Sequence, residues 1–265
     1  HHCGYQTSSI SYTCACGSHT FLKLGYGTER AYEEISQFFP SAKVLRLDSD
    51  VSSNHVRKEI LESFARGEAN ILIGTEIIAK GLDFPKVTLA CILDADSSLR
   101  IPSYLSDERT FDLISQFVGR AGRQKLKGKI ILQTYVPENP IIQMAARQDY
   151  DAFYQFEIEQ RKQYQYPPYT HLTRIQIKGV DLEEVINASE TIKNYLMVKI
   201  KGKRFNLYGP MTPYISHING RYYRQILLKY KSEEEADEIL SSLKSLLPEI
   251  KKAEVIIDVD PQDNA

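Results

Sequence analysis

Three side chains carry the chemistry this chain could do. They are Gln116, Arg120 and Arg123, in the run Gln-Phe-Val-Gly-Arg-Ala-Gly-Arg over 116–123. Their i, i+4, i+7 spacing puts them on one face of a helix. A guanidinium stays charged at any working pH, and its planar fork matches phosphate oxygens in pairs. Gly119 and Gly122 remove side chains beside the two arginines, so another backbone or a phosphate can come close. Each glycine costs about 1 kcal/mol in a helix interior, which makes a docking surface the reason for tolerating both. A solvated basic helix end is the plainer alternative.

Two more features could work with that helix. Gly74-Thr75 opens a run to Pro85 that contains Lys80, Gly81 and Asp83, and it follows the apolar Ile71–Ile73. Asp94 and Asp96 close the next apolar stretch, Val87 to Leu93. Taken singly, a Gly-Thr after a strand is a helix cap and aspartates at strand ends are turn residues. Their order and spacing ahead of the arginine helix carry the signal. A third group lies at the start: Cys3, Cys14 and Cys16, each followed by or close to glycine, with His1, His2 and His19 nearby. Such knuckles suit zinc, which takes four tetrahedral ligands. Only three cysteines are present, and the Cys14-x-Cys16 gap is tighter than the usual two residues; a loose tail is the alternative. Cys91, alone in an apolar run, reads as a small core residue.

These residues need elements to hold them. Phe21–Leu24 reads as a short strand. A helix then buries Ile35, Phe38 and Phe39 and stops at Pro40. Val44–Leu47 is a strand ending at Asp48. Val56, Ile60, Leu61 and Phe64 have helical spacing, with Gly67 as the stop. Ile71–Ile73, Val87–Leu93 and Ile130–Tyr135 are further strands, and the continuous apolar character of Val87–Leu93 predicts burial on both faces. Strands alternating with helices imply a parallel sheet covered on both faces, with ligands at the carboxyl ends of its strands. Asp149–Gln163 reads as helical. Tyr164-Gln-Tyr-Pro-Pro-Tyr169 then forces extended backbone and marks a linker.

Beyond it the order is β-α-β-β-α-β, a split βαβ arrangement of the ferredoxin-like or ribosomal S10-like kind. Leu172–Ile177, Phe205–Tyr208, Ile226–Tyr230 and Val255–Val259 are the strands, and Gly209-Pro210 turns the second. Asp181 with Glu184, and Ser232 with Glu235, form capping boxes. The helix stripes are Leu182, Val185, Ile186, Ile192, Tyr195 and Leu196, then Ile239, Leu240, Leu243 and Leu247.

Composition narrows the classes. The chain has 265 residues, 42% hydrophobic and 25% charged, enough for two domains with cores. Its net charge of −1 excludes a bulk basic signal for nucleic acid, so any such binding uses local patches. No apolar run approaches the roughly 18 residues of a membrane span. A Gly-x-x-x-x-Gly-Lys-Ser/Thr phosphate loop is absent, and the start at His1-His2-Cys3 reads as a cut inside a longer protein.

The Gly74–Pro85 and Gln116–Arg123 blocks resemble motifs V and VI of superfamily 2 helicases. The whole series narrows the resemblance: His-His-Cys-Gly-Tyr, Cys-Gly-Ser, Gly-Tyr-Gly-Thr-Glu-Arg, Ala-Lys-Gly-Leu-Asp-Phe-Pro, Leu-Asp-Ala-Asp, Gln-Phe-Val-Gly-Arg-Ala-Gly-Arg, Ile-Ile-Leu-Gln-Thr-Tyr, Tyr-Pro-Pro-Tyr and Gly-Pro-Met. In that order it is similar to the C-terminal half of the bacterial replication-restart helicase family, PriA (primosomal protein N′). The resemblance implies an ATP-dependent 3′-5′ DNA helicase that recognises stalled forks and D-loops and starts primosome assembly. It implies four regions: residues 1–20 as the remnant of a zinc module, 21–146 as the second RecA-like lobe, 147–170 as a helical linker and 171–265 as an α+β domain. ATP with Mg²⁺ would sit against a first lobe upstream, so the chain alone is expected to be inactive.

The resemblance also implies roles. Arg120 and Arg123 reach the γ-phosphate as arginine fingers, and Gln116 orients the attacking water or the arginines. Gly74, Thr75, Lys80, Gly81 and Asp83 couple nucleotide to DNA, with Lys80 on a phosphate and Asp83 on an arginine or a ribose hydroxyl. Asp94 and Asp96 serve either as turn residues or in coupling. Cys3 and Cys16 match zinc ligands, whereas the expected partner of Cys16 falls at Thr13 with Cys14 one place later; both sites are incomplete, so weak or no metal is expected. In the C-terminal domain, Lys199, Lys201, Lys203 and Arg204 and the interleaved Arg221-Tyr222-Tyr223-Arg224 are candidate DNA contacts, or else two solvated loops. Implied partners are forked and single-stranded DNA, single-stranded DNA-binding protein and primosome restart proteins, for a cytoplasmic, nucleoid-associated monomer with no membrane contact. A rival class is a non-catalytic DNA- and partner-binding module.

Overall fold

A computed structural model describes residues 27–48, 54–75, 78, 84, 86–121 and 128–262. These form two compact units. One lies within Thr20–Arg100 and Ser106–Tyr154; the other is built from Ile101–Leu105 and the chain from Gln155 onward.

The first unit alternates helix and strand. Helix α1 (Thr28–Phe38) precedes β1 (Val44–Leu47), and α2 (Asn54–Arg66) leads to β2 (Ile71–Gly74), which pairs parallel to β1 with Val44 opposite Ile71. β3 (Leu89–Ile92) pairs parallel with β4 (Lys129–Leu132), and α3 (Ser106–Ala121) is the crossover between them. Among the described residues the two pairs are separate two-stranded sheets rather than one sheet. This corrects the expected double burial of Val87–Leu93. Among the described residues β3 has one neighbour, its side chains alternate between inside and outside, and Leu89, Cys91 and Leu93 are exposed. Cys91 is therefore a surface thiol and not a core residue. β4 is also shorter than Ile130–Tyr135, and Tyr135 is exposed beyond it.

Phe38 and Phe39 are exposed as well, against expectation. α1 meets the sheet through Ala31, near its start, while Phe39 is the C-cap at φ −125° and has left helical geometry. The expected strand Phe21–Leu24 lies outside the described residues. Helix α4 (Pro140–Arg147) had no counterpart in the sequence reading. Asn139 caps it, accepting from the amides of Ile141 and Ile142, and Pro140 sits where its missing N–H costs nothing. Helix α5 (Tyr150–Gln163) follows, capped by Asp149, which accepts from the Ala152 amide at 3.1 Å.

The second unit contains β5 (His171–Gly179), α6 (Leu182–Lys199), β6 (Phe205–Met211), β7 (His217–Ile218), β8 (Arg221–Tyr230), α7 (Glu233–Leu246) and β9 (Glu254–Val259). The sheet order is β6-β8-β5-β9, all antiparallel, with β7 beside β8. β5 and β6 therefore point the same way with β8 between them. Alternate residues of β5 (Thr173, Ile175, Ile177) join Ile226 and Leu228 against Val185, Ile192 and Leu196 of α6 and Ile239 and Leu243 of α7. Each fully buried Ile or Leu contributes about 1.5–3 kcal/mol.

Four local readings change. Leu182 faces outward, and the buried stripe of α6 starts at Val185. Asp181 caps α6 through the Glu183 and Glu184 amides, but the Glu184 carboxylate goes to Lys252 Nζ at 2.6 Å rather than back to the cap. Gly209-Pro210 does not turn the chain. β6 runs on to Met211 with a register shift, and Gly209 at φ +99° makes it possible. A Cβ there would lie 2.7 Å from the Gln225 carbonyl oxygen. β8 starts at Arg221, five residues before Ile226, because Asn219 and Gly220 take φ +50° and +74° and close a hairpin with β7.

Candidate functional site

Helix α3 is the platform of the first unit's candidate site. Phe111 and Ile114 point inward, and Phe111 stacks on Phe153 of α5 with centroids 4.1 Å apart. Gln148, in left-handed conformation after α4, donates from Nε2 to the Ser115 carbonyl at 3.3 Å. Burial pushes the Asp107 carboxyl in the first turn up. With this face pinned, Gln116 is on the exposed side, and Arg120 falls one turn later in the same helix. The helix thus includes both positions, and the side chain of Arg120 lies outside what is described. Arg123 lies outside the described residues, as do Lys80, Gly81 and Asp83.

Gly74 ends β2 in a tight place. A Cβ at this position would collide with the Leu47 carbonyl oxygen and with the Ile78 side chain, so two backbones approach here as only glycine permits. Thr75 is exposed, and its carbonyl accepts from the Ile78 amide at 3.0 Å. At the end of neighbouring β1, buried Asp48 accepts from Thr28 Oγ1 at 3.0 Å and pairs with Arg46 at 3.1 Å.

The Asp94–Asp96 turn is organised by a residue the sequence reading missed, Arg100. Its Nη1 donates to Asp96 Oδ2 at 2.6 Å, and its Nη2 donates to Asp94 Oδ2. Asp94 takes φ +59°, the Ala95 amide donates to the Gln133 carbonyl at 2.8 Å, and Asp96 Oδ1 accepts from the Tyr135 amide at 3.0 Å. Burial opposes ionisation of Asp96, but hydrogen bonds from Thr134 and the Tyr135 amide outweigh it and hold the carboxyl below its usual range. The Asp94 contact raises the Arg100 pKa. These aspartates make a turn lock. The available signal was Arg100 at i+4 from Asp96.

In the second unit Lys201 and Arg204 are exposed on the approach to β6, Lys203 Nζ lies 3.5 Å from Glu238, and Lys199 lies over the Tyr195 ring at 5.3 Å. Arg221-Tyr222-Tyr223-Arg224 is strand rather than loop, so its side chains alternate between two faces. Arg221 pairs with Glu254 at 3.1 Å, Tyr222 stacks on His217 at 4.5 Å, and Arg224 donates to the Pro210 carbonyl at 3.0 Å. The run is not brought together as one patch. Cys3, Cys14 and Cys16 lie outside the described residues. Among the described residues, no cluster of three or more His, Cys, Asp or Glu could hold a metal ion, and no helix is long and apolar enough to cross a membrane.

A crossover helix that includes Gln116 and Arg120, followed in the chain by an antiparallel α+β unit, can now be set beside known proteins. The model of the helicase conserved C-terminal domain matches residues 21–125, which implies a RecA-like lobe. The model of the primosomal protein N C-terminal domain matches residues 162–262. Class and order together define a helicase lobe joined to a primosomal C-terminal domain. Replication restart protein PriA of Bacillus subtilis (strain 168) is 38% identical over 263 residues, covering 98% of this chain and 32% of the relative. The PriA proteins of Thermotoga maritima and Chlamydia pneumoniae are each 35% identical, over 98% of this chain and 33% and 35% of their own lengths. Over nearly its whole length the chain is similar to a part of these replication restart PriA proteins, and it spans about a third of the length of the curated relatives it matches.

Proposed function

We propose that this chain is the C-terminal part of an ATP-dependent 3′-5′ DNA helicase that recognises stalled forks and D-loops and initiates primosome assembly. The observation that carries this reading is the helicase-domain match over 21–125, which includes all of α3 with Gln116 and Arg120 in its sequence. ATP with Mg²⁺ binds between this lobe and a phosphate-loop lobe. Arg120 and Arg123 stabilise the charge of the transferring γ-phosphoryl group, a contribution worth about 10³–10⁵ in rate in related hydrolases. Gln116 orients the water or the arginines, and Gly74, Thr75, Lys80, Gly81 and Asp83 couple nucleotide to DNA phosphate. The close backbone approach at Gly74 supports its place in that coupling segment.

On this reading residues 1–20 are the remnant of a zinc module in which Cys3, Cys14 and Cys16 are ligands, 21–146 the lobe, 147–170 the connector and 171–265 the partner domain. The strand order β6-β8-β5-β9 supports a split βαβ, S10-like class for that last domain. Lys201, Lys203, Arg204, Arg221, Tyr222, Tyr223 and Arg224 contribute to holding forked and single-stranded DNA. Single-stranded DNA-binding protein and primosome restart proteins are the protein partners of a cytoplasmic, nucleoid-associated monomer. The test is Arg123→Ala in the intact protein. Fork-stimulated ATP hydrolysis falls at least 10³-fold while ATP binding persists; unchanged hydrolysis refutes the finger assignment and favours the non-catalytic DNA- and partner-binding module.

A further inference from the structure

We propose that the second unit holds a one-phosphate pocket for single-stranded DNA, lined by Lys203, Arg204, Lys229 and Lys231. The inference rests on the reading of DNA as a ligand, and it adds a specific seat for the backbone and two lysines outside the candidate set. The cavity has a volume of about 330 Å³. Cross-strand pairing builds it: Asn206 of β6 faces Lys229 of β8, and Phe205 faces Tyr230. Arg204 and Lys231 flank those pairs at the mouth, and both are exposed. Four cationic side chains line the space and no carboxylate does.

Lys229 is the decisive residue. It is only 6% exposed, yet among the described residues no carboxylate pairs with it. Its Nζ donates to the Tyr164 carbonyl at 2.9 Å and sits 3.3 Å from the centre of the Tyr166 ring. A carbonyl dipole and a π face compensate a buried ammonium only in part, and burial accordingly lowers the Lys229 pKa. A buried charge without a counter-ion, on a residue that lines a cavity together with three other cationic residues, lacks an anion. Arg204 and Lys231 also have no acidic partner among the described residues, and Lys203 has only the exposed Glu238 at 3.5 Å. The volume admits a phosphate with its sugar. Tyr208 lies on the same row of β6 as Asn206, is half-exposed and has its ring 5.5 Å from Lys229 Nζ. A base attached to the seated phosphate can stack there, which favours a nucleic acid strand over an acidic peptide.

The experiment uses this chain and a fluorescein-labelled single-stranded oligonucleotide, with binding followed by anisotropy from about 25 to 200 mM salt. Arg204→Gln/Lys231→Gln is compared with wild type and with Lys244→Gln, which changes a lysine outside the pocket. Because Arg204 and Lys231 are exposed, the double variant keeps its far-ultraviolet circular dichroism. It is expected to flatten the log–log salt slope by about 0.7, the value for one lost single-strand phosphate, while Lys244→Gln leaves it in place. Equal slopes in all three proteins overturn the pocket while leaving DNA binding standing. Failure of the wild type to bind at low salt overturns both this inference and the DNA reading it rests on. A charge-matched acidic peptide that displaces the probe better than unlabelled oligonucleotide assigns the pocket to protein and overturns the nucleic acid seat.

Discussion

Arg100→Ala should destabilise the first unit well beyond the loss of an ordinary surface charge. The guanidinium bridges two carboxylates whose side chains are 13% and 6% exposed, and is itself 30% exposed. Removing it leaves two acidic groups sharing one turn. Like charges about 5 Å apart at an effective dielectric constant of about 20 repel by about 3 kcal/mol. Breaking a buried pair costs about 3–5 kcal/mol, reduced here because Arg100 reaches solvent. The expected loss is about 2–4 kcal/mol. With a urea slope of about 2 kcal/mol/M, it appears as a midpoint shift of about 1–2 M. Asp94→Asn alone should cost less, and adding it to Arg100→Ala should restore part of the loss by removing the repulsion. The sign with pH follows from the depressed Asp96 carboxyl: its stabilising contribution is present above the ordinary carboxylate pKa and is lost as pH falls through the folded value. In Arg100→Ala the folded carboxyl is less depressed, so the contribution is smaller and its loss is complete at a higher pH. A urea shift below about 0.3 M, or a double variant with the plain sum of the single effects, would refute the turn lock.

Gly209→Ala should destabilise the second unit by about 2 kcal/mol or more, since φ +99° and a Cβ 2.7 Å from the Gln225 carbonyl act together; retained thermal stability would count against the register shift in β6. Leu196→Ala should cost about 2–5 kcal/mol in urea unfolding, while Val198→Ala, at an exposed position two residues on, should be nearly neutral. Asp181→Ala should cost about 0.5–2 kcal/mol by stripping the α6 amides of their acceptor, with Asp181→Asn retaining most of it; equal effects of the two would implicate charge rather than capping.

Where sequence and structure agree, the deciding physics is local. Val44–Leu47 is a strand with the expected limits, set between Pro40 and Asp48, and both C-terminal helices start at the capping residues the sequence shows. Short-range signals were also overlooked: Asn139-Pro140 announces α4, and Asn219-Gly220 announces the β7–β8 hairpin that turns Arg221–Arg224 into strand. The exposure of Leu89 and Cys91 was not legible, because an apolar run does not reveal how many neighbours its strand will have. The same limit applied to the site. Gln116 and Arg120 share a helical face by periodicity alone. The Arg100 fork depends on the left-handed backbone of Asp94, and the place of Lys229 depends on which strand lies opposite it.

The irregular end of β6 also bears on what this domain does in a crowded cell. Among the described residues β6 is the outer strand on its side of the sheet, where a regular strand would offer a free ladder of amides to another chain. Pro210 has no amide to offer, and the shift between Tyr208 and Met211 throws the ladder out of step. A regular strand in its place would give neighbouring copies a template for strand-to-strand association. The Gly209-Pro210 pair thus denies an approaching copy a regular edge to extend, a consequence that grows with concentration.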